Sequence, residues 1–155
     1  MAELPLSWIP VRLLDELQQE TLSLEDWIQS APEFGLQGVE IHHTLLESKE
    51  GCYLDCIKET LDEIGIKVSL ICCSPDFAHP DPSKRTMYLK EMKQNIRAAQ
   101  QLGALGVRVT TGVRHPFVKE EDGISWVVDS LKTLTEYAHL RGIVLALENH
   151  YKDRS

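Results

Sequence analysis

The sequence predicts an α/β fold in which parallel strands alternate with helices and curve as part of a (β/α) barrel. Three observations predict it. A helix-like stretch that ends at glycine and is followed at once by a β-branched or apolar run occurs four times in the 155 residues. These runs begin near residues 39, 66, 107 and 143, at spacings of 27, 41 and 36. That is the period of a strand plus a helix, and strict alternation of this kind means a parallel sheet with right-handed crossovers. Finally, the runs carry polar residues on one face. An open sheet between two helix layers is apolar on both faces, whereas the inward face of a barrel carries polar groups near its catalytic end.

The elements follow in order. Leu6-Ser7-Trp8-Ile9 reads as a first strand. Ser23 and Asp26 form a capping box ahead of Leu24, Trp27, Ile28 and Ala31, and Pro32 ends or distorts that helix. Gly35 precedes the strand Val39-Glu40-Ile41-His42, and Gly65 precedes the strand 66–72. Asp81 and Pro82 read as N-cap and first residue of a helix whose apolar stripe is Leu89, Met92, Ile96 and Ala99. After Gly103 comes Val107-Arg108-Val109-Thr110. The next helix shows the stripe Ile124, Val127, Val128, Leu131, Leu134 and Ala138, expected to be core, before Gly142 and Ile143-Val144-Leu145-Ala146-Leu147. Glycine just past a helix end supplies the left-handed residue that stops it. No linker or boundary is visible, so residues 1–155 read as one domain.

Composition narrows the classes. The hydrophobic fraction is 43% and the formal net charge −8. Residues 1–65 hold 14 acidic and 3 basic side chains, residues 66–155 hold 10 and 13. An acidic chain repels phosphodiester backbones, which argues against a nucleic-acid partner. The basic excess of the second part suits either an anionic small molecule or solvated helix faces. No stretch has the length of apolar residues that a membrane span requires, and the first residues lack the basic and apolar regions of a signal peptide. The expected location is cytoplasmic, with no membrane partner. The four cysteines lack zinc-site spacing: Cys52 and Cys56 share a helix face, and Cys72 and Cys73 point to opposite faces of a strand. Reduced, mostly buried thiols are expected.

Side-chain alternation places Glu40, Arg108 and Glu148 in one interior. A lone buried charge is costly, so Arg108 is expected to pair with one or both carboxylates. Glu40 and Arg108 then read either as site residues or as a satisfied interior ion pair. Glu148 ends its strand, where barrel chemistry collects.

Five blocks in order resemble the sugar phosphate isomerase/epimerase family of the xylose isomerase-like barrel superfamily. They are Gly38-Val39-Glu40-Ile41, Asp76-Phe77-Ala78-His79-Pro80-Asp81-Pro82, Ala98-Ala99-Gln100-Gln101-Leu102-Gly103-Ala104, Val107-Arg108-Val109-Thr110-Thr111-Gly112 and Ala146-Leu147-Glu148-Asn149-His150. The resemblance covers about residues 6–151 and implies an eight-stranded barrel represented by its amino-terminal part, without the last three βα units. It also implies a divalent cation (Mn, Mg, Co or Zn) in the complete enzyme, held by Glu, Asp, His and Glu from the last four strands. Glu148 matches the first of these and is expected to serve as metal ligand and catalytic acid–base group. The strands expected to carry the other three are absent, so the chain alone is expected to be catalytically incomplete. The implied reaction is proton transfer through an enediolate on a sugar or sugar phosphate.

Around the expected mouth, Glu40, Arg108, His42 and His150 are the candidate substrate-binding residues; His150 also reads as a solvent-facing loop residue. Arg114 and His115 meet a phosphate or form an ordinary loop, and His79 caps a helix or binds an anion there. Trp8 walls a sugar ring or belongs to the core. Rival readings are a non-catalytic half-barrel that binds a ligand or assembles with a second copy over its open sheet edges, an endonuclease IV-like enzyme, and an open flavodoxin-type sheet. The last lacks a Gly-rich phosphate loop.

Overall fold

A computed structural model describes residues 5–11, 19 and 22–149. The strands are β1 (Ser7–Trp8), β2 (Gly38–His42), β3 (Lys67–Cys73), β4 (Gly106–Val109) and β5 (Val144–Leu147). The helices between them are α1 (Leu24–Ser30), α2 (Cys52–Ile64), α3 (Pro82–Gln101) and α4 (Glu120–His139). All neighbouring strands are parallel, and their order in the sheet is their order in the chain.

Helix boundaries follow from local chemistry. Ser23 Oγ accepts the Asp26 amide at 3.0 Å while the Ser23 amide donates to Asp26 Oδ2 at 3.3 Å, a complete capping box for α1. The chain then tightens into a 3-10 turn, Ala31–Phe34, that accommodates Pro32. Asp81 Oδ1 accepts the Ser83 amide at 2.8 Å and starts α3. The four expected stops, Gly35, Gly65, Gly103 and Gly142, all take φ of 69° to 72°, where a side chain would be strained.

The helices cover one face of the sheet. Val39, Ile41, Val68, Ile71, Val107 and Val109 point into that layer and meet Ile28, Leu54, Ile57, Leu61, Met92, Ile96 and Leu134, all essentially inaccessible to water. The opposite, inner face carries the polar alternates. A register shift at Val39/Glu40 leaves Ser69 outside the ladder between β2 and β3, and its hydroxyl donates to the Val39 carbonyl at 3.3 Å.

Two expectations change here, and one pair of alternatives is decided. The α4 stripe is core only toward its end: Leu134 and Ala138 are buried and Val127 and Leu131 pack against the core, but Ile124 and Val128 are 57% and 40% exposed and line an open cavity with the loop after β4. The thiols divide evenly, with Cys72 and Cys73 buried and Cys52 and Cys56 exposed. Trp8 stands on the helix side, edge-on to Trp27 at 5.4 Å between ring centres, so it does not wall a ligand on the inner face. Among the described residues no helix is long and apolar enough to cross a membrane.

Candidate functional site

The inner face is organised in rows by strand register. Glu40, Leu70, Gly106 and Val144 lie side by side in one row; His42, Cys72, Arg108 and Ala146 form the next, nearer the carboxyl ends. Gly106 and Ala146 flank Arg108 along and across the strands, and the absence of any side chain beyond one methyl group there leaves room for a guanidinium. Glu148 follows β5, pinned by its amide to the Val109 carbonyl at 3.0 Å. Its Oε2 meets Arg108 Nε at 2.9 Å.

Glu40 does not join that pair. Its Oε2 accepts instead from the Cys72 thiol at 3.4 Å, and among the described residues Arg108 has an ion pair with Glu148 alone. The reason lies in the rows: Glu40 sits one row below Arg108, beside Leu70, while the guanidinium reaches toward the carboxyl ends. The interior Glu40–Arg108 ion pair is therefore replaced by a thiol–carboxylate contact and a separate Arg108–Glu148 pair.

Burial, reinforced by the nearby Arg108 charge, lowers the His42 pKa, which favours the neutral ring. Its Nδ1 lies 2.7 Å from Thr44 Oγ1. Burial likewise pushes the Cys72 thiol up to about 12, so it donates to Glu40 as a neutral group. Among the described residues, the charged side chains of this face are Glu40, Glu148, Arg108 and, at the amino end of β3, the exposed Lys67. Among the described residues, Arg108 Nη1 is buried without a hydrogen-bond partner. His150 lies outside the described residues.

A second cluster forms where the loops after β3 and β4 meet. His115 Nε2 is 2.8 Å from Asp76 Oδ2, and the Val113 amide donates to Asp76 Oδ1 at 3.3 Å. Gly112 takes φ 113°, and a Cβ there would collide with the Asp76 side chain. The β4 loop is thus wrapped around one carboxylate. His115 and the exposed Arg114 both line a cavity of about 350 Å³, together with Ala78 and Gly123. His79 Nδ1 accepts the Asp81 amide at 3.0 Å, a bond that caps the start of α3. Asp76 escaped the sequence reading; the signal for it is an acid just past one strand and a glycine just past its neighbour. His43 turns away from the inner face to Glu91, 3.4 Å from its Nδ1.

The divalent cation implied by the resemblance would draw on Glu148. Among the described residues no three His, Cys, Asp or Glu side chains converge as metal donors. Glu148 Oε2 is already held by a guanidinium, whose positive charge opposes a cation beside it. The described residues do not fit a metal centre.

Comparison with known proteins places this architecture. No curated protein matches the chain. Solved structures do. One similar fold is 3-keto-D-glucoside 4-epimerase, YcjR, from E. coli, in apo form (24% identity, TM-score 0.71, 84% of this chain and 53% of that one). Another is a D-tagatose 3-epimerase-like protein (16%, TM-score 0.78, 97% and 55%). A third is the IolI protein with a bound zinc atom (19%, TM-score 0.73, 93% and 51%). The chain spans about half the length of these proteins. Its five strands correspond to about half of their barrel. The profile of one family matches residues 28–155. With the glycine-stopped βα units and the polar inner face, that match makes the chain a member of the xylose isomerase-like TIM barrel family.

Proposed function

We propose that the inner face is a carbohydrate site in which Glu148 moves a proton at the carbon next to a sugar carbonyl. The observation that carries this reading is the Arg108–Glu148 pair at the carboxyl ends of the strands. Arg108 orients the carboxylate through Nε and sets its positive charge beside the carbonyl oxygen. Removal of the adjacent proton by Glu148 leaves an enediolate, whose charge the guanidinium stabilises in a partly water-excluded setting. Return of the proton to the neighbouring carbon, with the hydroxyl proton passing to the former carbonyl oxygen, gives the isomer; a second acid on the opposite face would give the epimer.

Around Arg108 the carboxylates of Glu40 and Glu148 outnumber the guanidinium, which disfavours a phosphate dianion there, so the reading favours a neutral sugar over a sugar phosphate. Glu40 and the neutral His42 serve as hydroxyl partners. The epimerases with similar folds support the substrate class. The divalent cation (Mn, Mg, Co or Zn) is assigned no step, because Glu148 would have to exchange its guanidinium for it.

The test uses D-fructose and D-tagatose in heavy water, followed by NMR. Saturation transfer to the sugar and loss of the proton signal next to the carbonyl are expected, with Glu148→Gln keeping the first and losing the second. Absence of both from the unsubstituted chain, or exchange undiminished in Glu148→Gln, overturns the reading.

A second reading, a half-barrel that assembles with another copy, is favoured by the β5 edge, where Val144 and Leu147 are 63% and 55% exposed. Sedimentation without sugar separates it: a monomer rules it out. The endonuclease-like reading is opposed by the net charge of −8.

A further inference from the structure

Two of the four thiols face water on a single turn. Cys52 opens α2 and Cys56 follows one turn later, both exposed and unpaired. Side chains four apart on a helix have Cβ atoms about 5–6 Å apart. A disulfide needs about 3.5–4.5 Å and a sulfur–sulfur bond near 2.05 Å, so an intact helical turn does not close one. A bridging metal ion relaxes that demand. Two metal–sulfur bonds of about 2.3 Å let the sulfurs stand roughly 3.8–4.6 Å apart, from tetrahedral to linear.

Cys52 opens the helix, where the positive end of the macrodipole favours a thiolate but opposes a bare cation, so the neighbouring charges matter. Asp55 and Glu59 are exposed on the same side, and the nearest lysine in the helix, Lys58, is committed to Asp62 at 2.8 Å. The turn is braced as well: Gln101 Nε2 donates to the Gly51 carbonyl at 3.1 Å and to Asp55 Oδ1 at 2.7 Å, tying the start of α2 to the end of α3. Cys72 and Cys73 do not compete, since burial holds both thiols near 12.

We propose that Cys52 and Cys56 form a dithiolate clip for a soft d10 cation of the zinc, cadmium or copper(I) class. Each thiol gives its proton to solvent, two metal–sulfur bonds form, the ion releases water, and no oxidation state changes.

The test is a Cd²⁺ titration of the reduced chain, read by the sulfur-to-cadmium charge-transfer absorption and by iodoacetamide labelling with peptide mass spectrometry. One Cd²⁺ per chain is expected, shielding Cys52 and Cys56 together. Cys52→Ser and Cys56→Ser each weaken binding by about 100-fold, the loss expected when a second attachment is no longer intramolecular. Circular dichroism of each variant checks the helix. Binding unchanged in either variant, or shielding of one cysteine without the other, overturns the proposal. The labelling arm decides it on the unsubstituted chain alone.

Discussion

Cutting the Arg108–Glu148 pair from its two ends costs unequal amounts of stability. The Arg108 side chain is 17% exposed and Glu148 45%. Removing Glu148, as in Glu148→Leu, strands a guanidinium whose Nη1 already lacks a partner among the described residues. Breaking a fully buried pair costs about 3–5 kcal/mol. With the removed partner half in water, the expected loss is about 2–3 kcal/mol. Arg108→Met leaves a carboxylate that takes back its water, and it relieves the burial of a charge, so the expected change stays within about 1 kcal/mol. The double variant lies near Arg108→Met, which makes the two changes non-additive by about 2 kcal/mol. Urea denaturation at neutral pH, followed by circular dichroism, measures all four proteins. In a thermal scan, Glu148→Leu melts about 5–10 °C below the unsubstituted chain. If Arg108→Met costs as much as Glu148→Leu, or the two effects simply add, the guanidinium is not the buried member of the pair and the reasoning fails.

Two further outcomes follow from burial. Asn95 is 1% exposed on α3, with neither amide atom partnered, so Asn95→Leu is expected to raise stability by about 1 kcal/mol in urea; a loss of that size would reveal a bonded amide. Burial first, then repulsion from His42 and Lys49, holds His43 near 4 despite Glu91. Its neutral form thus contributes stability that is complete above about pH 6.5 and is lost as pH falls through about 4, on the order of 2 kcal/mol after solvent screening. His43→Gln should flatten that part of the stability profile, and a profile parallel to the unsubstituted chain would refute the assignment.

Much of the fold is legible because its signals are local. Gly35, Gly65, Gly103 and Gly142 announce the helix ends, and the Ser23–Asp26 and Asp81–Pro82 pairs announce two starts, since each acts within a turn of itself. Period-two alternation likewise puts Arg108 and Glu148 on one face. It does not say which carboxylate the guanidinium chooses, because that depends on the register between β2, β3 and β4, and Glu40 falls a row short. The Asp76–His115 contact joins loops 39 residues apart, beyond any periodicity. The exposed start of α4 was illegible for a related reason: an apolar stripe records what a helix offers, and only the tertiary packing decides how much of it is met.

A sheet whose spatial order repeats its order of synthesis grows from one side only. Each strand after β1 finds its partner already made, one crossover behind, and the closure entropy of such a loop rises only slowly with its length. On the ribosome, a newly emerged βα unit would therefore dock onto a finished edge without waiting for any segment still in the tunnel. Assembly of these five strands is then a sequence of nearest-neighbour additions, and the Arg108–Glu148 contact waits for β5 to join β4.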